Sequence, residues 1–183
     1  MDELLRTSRL VLRQWREDDL LAFLDIYGRD EVVRWLGPHP RLPVTTPEQA
    51  LERIRRWRGR QAELDPPMGL WAVAEALQDT RPVGTVLLLP LHDATGPTNE
   101  VEVGWHLHPE HQGRGIASEA AGALLEVAAR AGLREVLALT DLDNTRSQAL
   151  AMRLGMTDEG ITHRWFALTT RQYRKALASS TPA

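Results

Sequence analysis

The hydrophobic and polar positions of the first third of the chain predict one strand followed by helices. An alternating stretch over Arg9–Arg13 predicts the strand. The next segment places acidic residues before an apolar face and predicts a helix that ends near Gly28. A shorter helix is expected over Asp30–Leu36, and a longer one from a capping box at Thr46 to about Leu64.

The pattern then changes to strands, and the later segments alternate between strand and helix. Strands are expected at Leu70–Leu77, Val83–Leu91 and Glu100–Leu107, with a turn at Gln78–Arg81 and a polar loop at His92–Thr98. A helix at Ile116–Arg130, a strand at Val136–Thr140 and a helix between Asn144 and Gly155 are expected next. Two strands within Met156–Leu168 and a last helix capped by Thr169 or Thr170 would complete the chain. This order predicts an α/β (α+β) fold with a mixed sheet of about seven strands. Adjacent strands favour antiparallel pairs, and the strand–helix–strand segment near the end favours a parallel pair.

Composition narrows the class of protein. The length of 183 residues suits one domain, expected over residues 1–183. A net charge of −3 argues against a general nucleic-acid binder and against a polybasic membrane binder. The chain has no cysteine, which excludes disulfides, cysteine-ligated metals and a cysteine nucleophile. The acidic first residues do not resemble a signal peptide, and the apolar stretches are too short to span a bilayer, so a soluble cytoplasmic protein is expected.

The most informative segment runs from the end of one predicted strand into the start of the Ile116–Arg130 helix. A short loop there holds Gly113 and Gly115, whose small size lets a ligand approach the backbone closely. The free N–H groups and dipole of the helix start attract anions, and Arg114 adds positive charge. A diphosphate would fit, although a plain glycine turn is the alternative. The spacing differs from the Rossmann fingerprint and from the P-loop.

Four motifs resemble the GNAT family of N-acetyltransferases. They are Gln112-x-x-Gly115-x-Ala117, Glu102-Val103-Gly104-Trp105, Asn144-x-x-Ser147 followed by Leu154-Gly155-Met156, and Thr7-x-Arg9-Leu10-x-Leu12-Arg13. The last is similar to the opening of the RimL-like branch, which acetylates ribosomal-protein N-termini. The four motifs follow the family order and together span nearly the whole chain.

The resemblance implies a bent, mostly antiparallel sheet that splays between its fourth and fifth strands. These would be Glu100–Leu107 and Val136–Thr140, and the acetyl-pantetheine arm of acetyl-CoA would lie in the V between them. The resemblance also implies a set of cofactor-binding residues: Trp105, Leu107, Gln112, Gly113, Arg114, Gly115, Ile116, Ala117 and Asn144. No metal is expected, and the cluster of His106, His108 and His111 lacks acidic or cysteine partners at ligand spacing.

The implied reaction is direct transfer of an acetyl group to a primary amine in a ternary complex. Glu102 is the candidate base, directly or through a water, and His106 is the alternative. A backbone N–H near Trp105–Leu107 would stabilise the oxyanion. The family's usual tyrosine position is Ala151 here, so Ser147 is the candidate partner of the leaving thiolate. Each role has a plain structural alternative: an exposed strand carboxylate for Glu102 and an inert helix serine for Ser147.

The acceptor is open at this stage. A protein N-terminal amine is the first expectation, and an antibiotic or polyamine is the second. A non-catalytic acyl-CoA-binding module is the third, and a homodimer is possible. The acids Asp141, Asp143 and Asp158–Glu159 could form a pocket for an amine-rich substrate. The loop from Gly37 to Thr46 and the helix after it would line the acceptor pocket, and the arginine run 53–60 is either a solvated face or a contact for an anionic partner.

Overall fold

A single mixed sheet of eight strands organises the protein, which was analysed as a computed structural model describing residues 2–77 and 81–178. The strands are β1 Glu3–Arg6, β2 Leu10–Gln14, β3 Gly69–Glu75, β4 Pro82–Asp93, β5 Gly96–Leu107, β6 Glu135–Thr140, β7 Thr157–Thr162 and β8 Thr170–Ala176. The helices are α1 Leu20–Tyr27, α2 Asp30–Val33, α3 Pro47–Ala62, α4 Ile116–Arg130 and α5 Thr145–Arg153. The strand order is β1-β2-β3-β4-β5-β6-β8-β7, and only the β5–β6 pair is parallel.

Two predictions about the ends of the sheet were wrong. The segment after Thr169 is strand β8, not a helix, because it hydrogen-bonds to β6 on one side and to β7 on the other. Only one strand, β7, lies between Met156 and Leu168. Strand β1 was not predicted, since its half-exposed residues do not alternate clearly. The sheet therefore has eight strands instead of about seven.

The central elements match the sequence pattern closely. Helix α4 has the predicted bounds, and strands β3 to β6 lie within a few residues of theirs. The polar loop predicted at His92–Thr98 is instead a tight hairpin, because β4 extends to Asp93 and β5 begins at Gly96. The predicted turn at Gln78–Arg81 lies largely outside the described residues.

Two apolar clusters cover opposite faces of the sheet. One packs α4 and Ala151 of α5 against one face of the strands and contains Val103 of β5. The other packs α1, α2 and α3 around Trp15 and Ala72. Because side chains alternate along a strand, β5 sends Val101, Val103, Trp105 and Leu107 toward α4 and sends Glu100, Glu102, Gly104 and His106 toward the other face.

The sheet splits between β5 and β6, the two strands between which the family resemblance implies a splay. They were expected as the fourth and fifth strands, and they are the fifth and sixth because the unpredicted β1 precedes them. The two strands share a single register pair, Glu102 with Leu137. Beyond Glu102, the edge of β5 that faces β6 has no strand partner, while its other edge remains paired with β4 as far as Leu107. A V-shaped groove therefore opens from Glu102 toward the start of α4, with unpaired backbone groups along one wall.

Across the described ranges, no helix combines the length and apolarity that crossing a membrane requires.

Candidate functional site

The loop before α4 has the backbone geometry of an anion site. Gly113 and Gly115 adopt left-handed φ angles of 75° and 76°, which glycine reaches without strain. The N–H groups of Gly113, Arg114 and Gly115 have no hydrogen-bond partner among the described residues. Ile116 and Ala117 follow as the first residues of the helix, whose positive end adds to the attraction for an anion. The site offers several backbone donors in one place, as a diphosphate needs.

Gln112 fixes this loop to its neighbours. Its Nε2 donates to the carbonyl oxygen of Leu107 over 3.3 Å, and its Oε1 accepts from Arg146 of α5 over 2.8 Å. Both ends of the side chain are thereby occupied within the protein. Gln112 therefore ties the end of β5 to α5.

The cation of Arg114 is already partnered in this structure. Its Nη2 lies 2.9 Å from Oε1 of Glu75 at the end of β3, and its Nη1 lies 3.0 Å from Nδ1 of His111. About half of the side chain is exposed, so the guanidinium can still attract an incoming phosphate. The main-chain donors carry more of the anion site than Arg114 does.

Trp105 and Ser147 meet across the groove on the α4 side of β5. The Nε1 of Trp105 donates a hydrogen bond to Oγ of Ser147 over 3.1 Å. The hydroxyl proton of Ser147 is therefore free to point at another acceptor. Asn144 caps α5 by accepting from the Ser147 N–H over 3.1 Å through Oδ1, so its amide nitrogen is available to a ligand.

Glu102 lies at the closed end of the groove, beside apolar side chains. Its cross-strand partner is Leu89, which packs with Leu70 and Leu87 under Trp57 of α3. Burial raises the pKa of Glu102 to about 7, and the distant charge of Arg60 opposes that rise only in part. Within the described residues the carboxylate makes no ion pair or side-chain hydrogen bond. It is therefore not the exposed strand carboxylate of the plain alternative.

His106 shares the face of Glu102 but sits in a buried polar chain. Its Nδ1 lies 3.2 Å from the hydroxyl of Tyr27, which lies 2.6 Å from Oγ1 of Thr85. Trp15 donates to the same Thr85 hydroxyl over 3.2 Å. Burial lowers the pKa of His106 to about 4, so the ring is neutral at pH 7. A base with a pKa near 7 suits proton abstraction better, which favours Glu102 over His106.

The acidic residues expected to form a cationic-substrate pocket are mostly paired with arginines. Asp141 binds Arg41 over 2.8 Å, Asp158 binds Arg171 over 2.5 Å, and Glu159 binds Arg174 over 2.8 Å. These pairs neutralise the acids. The Asp158 and Glu159 pairs both join β7 to β8, whereas Asp141 follows β6. The Arg41–Asp141 pair also joins the loop that contains Arg41 to the end of β6, beside the groove.

The three histidines of the loop region do not meet at one point, although the rings of His108 and His111 lie 5.8 Å apart. His106 faces Tyr27, His108 faces Asp25 at 3.4 Å, and His111 faces Glu75 at 3.3 Å. Over residues 2–77 and 81–178, no three histidine or acidic side chains are placed to hold a metal ion.

Sequence reasoning missed several residues that shape the site. Glu75 and Tyr27 reach it from elements far away in the chain, and no local pattern marks them. Arg41 lies in the loop that was expected to line the acceptor pocket, but its pairing with Asp141 was not predicted. The ring of Tyr27 belongs to the buried apolar face of α1, and helical periodicity says nothing about the partners of its hydroxyl.

The comparisons with known proteins agree with this geometry. A family model described as the acetyltransferase (GNAT) domain matches residues 9–157, which is most of the chain. The chain therefore belongs to the GNAT family, and it is an acetyltransferase by that membership. An uncharacterised N-acetyltransferase of Bacillus subtilis, YoaA, is 28% identical over 168 residues, covering 90% of this chain and 89% of its own.

Solved structures share the fold. A Salmonella typhimurium acetyltransferase that modifies the N-terminal serine of ribosomal protein L7/L12 superposes with a TM-score of 0.75 at 18% identity, covering 97% of this chain and all of its own. The microcin C7 self-immunity acetyltransferase MccE, solved with acetyl-CoA and AMP, gives a TM-score of 0.73 at 18% identity and covers 93% of each chain. At these identities the similarity establishes the architecture alone.

Proposed function

We propose that this protein transfers the acetyl group of acetyl-CoA directly to a primary amine, with a peptide N-terminus as the acceptor. The observation that carries the proposal is the position of Glu102. Its carboxyl group, with a pKa near 7, lies where β5 and β6 part and the groove begins. A proton acceptor is thus placed at the closed end of a groove whose other end is an anion site.

The polar groups along the groove match those of acetyl-CoA. The free N–H groups at residues 113 to 115 suit the diphosphate, and the open edge of β5 offers main-chain partners to the amides of the pantetheine arm. Asn144 adds an amide donor beside that edge. When bound, acetyl-CoA supplies an activated acetyl group and a thiol leaving group. MccE, solved with acetyl-CoA, has the same fold.

Glu102 acts as the general base in this proposal. An ammonium group cannot attack the thioester, so its proton must leave first. With a pKa of about 7, roughly half of the Glu102 population is ionised at pH 7 and can accept that proton. General-base assistance of this kind typically contributes a factor of about 10² to 10⁴.

Backbone and hydroxyl donors stabilise the charges that develop on the acetyl group and the leaving thiol. Unpaired N–H groups of β5 beyond Glu102 serve as oxyanion donors. The free hydroxyl proton of Ser147 is offered to the thiolate. The full sequence has no cysteine, so no acetyl-cysteine intermediate forms on the protein, which favours direct transfer.

The pKa of the acceptor favours a peptide N-terminus. An α-amino group has a pKa of about 7.7 to 8.0, close to that of Glu102, whereas a lysine amine lies near about 10.4. The pairing of Asp141, Asp158 and Glu159 with arginines also reduces the free negative charge for a polyamine, and among the described residues only Asp143 of the expected set stands outside an ion pair. The Salmonella acetyltransferase of the same fold acts on a protein N-terminus.

Release of CoA thiol, followed with a thiol-reactive dye, tests the proposal without background from protein cysteines. Peptides with a free N-terminus would be compared with the same peptides N-formylated, and with polyamines and aminoglycosides. Thiol release that requires the free N-terminus supports the proposal. Turnover with small amines alone would reassign the acceptor, and acetyl-CoA binding without turnover across the panel would indicate a non-catalytic module.

A further inference from the structure

The segment Thr7–Arg9 lies directly behind the loop before α4, and no step of the proposed acetyl transfer uses a residue of this segment. Thr7 Oγ1 donates to Oε1 of Glu119 over 2.5 Å, and Arg9 Nε donates to Oε2 of the same carboxylate over 2.7 Å. Glu119 belongs to the first turn of α4. The N-terminal segment is thus tied to the start of the helix whose N–H groups form the anion site.

Arg9 also contacts the loop itself. Its Nη1 donates to the carbonyl oxygen of Arg114 over 3.3 Å. Its Nη2 lies 3.6 Å from the point where a Cβ on Gly115 would sit. One guanidinium therefore spans from Glu119 to the peptide that joins Arg114 and Gly115.

This contact determines where the Gly115 N–H points. In a trans peptide the C=O and the following N–H point in opposite directions across the plane. Because Arg9 holds the Arg114 carbonyl, the Gly115 N–H is turned to the opposite side, where it has no partner among the described residues. Gly115 needs this control more than other residues, since glycine moves easily between backbone conformations.

The pairing of Arg9 with Glu119 serves the anion site in a second way. Glu119 would place a negative charge beside the bound diphosphate, one turn into the helix. Arg9 lies 2.5 Å from that carboxylate and offsets its charge. The remaining arginine of the motif, Arg13, does not share this role, because it is buried against Asp19.

We infer that Arg9 is a positioning residue for the diphosphate of the acyl donor: it anchors on Glu119 and orients the Arg114–Gly115 peptide so that the Gly115 N–H faces the phosphate. The inference rests on the proposed function, since it assumes that the loop binds a diphosphate. It adds a specific task for the N-terminal motif. Arg9 acts from behind the loop and touches neither the acetyl group nor the amine.

The test compares Arg9→Gln and Arg9→Lys with Arg6→Gln, which removes an exposed arginine whose partner is Glu3 on the same strand. Calorimetry would measure the Kd for acetyl-CoA, and steady-state kinetics would use acetyl-CoA and S-acetylpantetheine, which lacks the diphosphate. Arg9→Gln should raise the Kd and KM for acetyl-CoA about tenfold, as expected for one lost charge-assisted hydrogen bond. For Arg9→Gln, the kcat with either acyl donor and the KM for S-acetylpantetheine should stay within about twofold of the unmodified protein's values. Arg9→Lys should bind acetyl-CoA more tightly than Arg9→Gln does.

A spectroscopic measurement separates positioning from a general loss of structure. In the ligand-free protein, Arg9→Gln should shift the amide resonances of residues 113 to 116 and leave that of Gly160, on β7, unchanged. Unaltered acetyl-CoA affinity, or an equal loss with both acyl donors, would overturn the positioning role. If the unmodified protein itself does not bind acetyl-CoA, the proposed function fails and this inference fails with it.

Discussion

Trp105 and Ser147 are joined by a 3.1 Å hydrogen bond on one side of β5, while Glu102, three residues earlier, faces the other side. The candidate base and the candidate partner of the thiolate therefore flank the same strand from opposite faces. In the proposed reaction the amine would approach from the α1–α3 side, while the thiol would leave on the α4–α5 side. The nucleophile and the leaving group would then occupy the site together, as the proposed direct transfer requires.

We expect Ser147→Ala to lower kcat about 10- to 100-fold and to leave the KM for acetyl-CoA nearly unchanged, because a hydroxyl that donates to the developing thiolate acts mainly in the transition state. Trp105→Phe keeps the serine but removes the hydrogen bond that orients it, so its loss should be smaller. Thiol release at saturating acetyl-CoA measures kcat for both variants. A Ser147→Ala protein with full kcat would leave the serine as a plain helix residue.

For Glu102→Gln we expect kcat/KM to fall about 10² to 10⁴-fold at pH 7. In the unmodified protein kcat/KM should rise with pH around a midpoint near 7, as the Glu102 carboxyl ionises. The variant should lose this midpoint and rise only near about 7.7 to 8.0, where the α-amino group of the acceptor loses its own proton. Glu100→Gln is the matched control, since Glu100 lies on the same face of β5 but is paired with Arg174. Identical pH profiles for Glu102→Gln and the unmodified protein would remove Glu102 from the mechanism.

The same carboxyl group should affect stability. Its pKa in the folded protein is raised to about 7 from 4.5, so between these values the unfolded chain is ionised while the folded protein still holds the proton. The Glu102 contribution to the free energy of unfolding therefore falls as pH rises from about 4.5 to 7, by about 1 to 3 kcal/mol. Urea unfolding at pH 5 and pH 8 should show Glu102→Gln gaining stability relative to the unmodified protein at the higher pH. A pH-independent difference would contradict the raised pKa.

Gly115→Trp should weaken acetyl-CoA binding by about 100-fold or more, because a displaced loop misplaces several donors at once. The φ of 76° strains any side chain, and a Cβ there points at Arg9. Gly160→Trp has the same kind of strain at φ 87° in open space, far along the chain on β7, and should bind normally. Calorimetry would measure the Kd of both variants for acetyl-CoA. Equal affinities for the two variants would refute the diphosphate assignment.

The buried pair of Arg13 and Asp19 should matter to folding alone. Arg13 donates to both carboxylate oxygens of Asp19, over 2.7 and 2.8 Å, and both side chains are more than nine-tenths buried. Asp19→Asn leaves an uncompensated buried charge, so we expect a loss of about 3 to 5 kcal/mol in the free energy of unfolding. The exposed Glu3→Gln change should cost under about 1 kcal/mol. The kcat of the folded Asp19→Asn protein should be unaltered.

Local signals explain what could be predicted from the sequence. The periodicity of Ile116–Arg130 and the two glycines before it are short-range features, and they located the helix and the glycine loop that precedes it. The alternation of glutamate and valine in β5 is also a local feature, and it is enough to place Glu102 on the face opposite Val101 and Val103, as the structure has them. The family motifs placed the splay between the correct strands.

Long-range contacts explain what could not be predicted. Strand β8 is a strand because β6 and β7 pair with its two edges, and nothing in its own seven residues states this. The Arg9–Arg114 and Arg41–Asp141 contacts span 105 and 100 residues. The pKa of Glu102 likewise depends on packing by distant leucines, so the sequence indicated the carboxylate but not its proton affinity.

The open edge of β5 has a further consequence for how this sequence can drift over evolutionary time. Its donors are main-chain atoms, which every amino acid except proline supplies equally. Most side chains along this edge can therefore be exchanged without loss of the main-chain donors. Residue identity is restricted only at the few positions that fix the direction of the backbone, such as Gly115. Extensive divergence is therefore compatible with a preserved groove, in keeping with a relative that retains only 28% identity over nearly the whole chain.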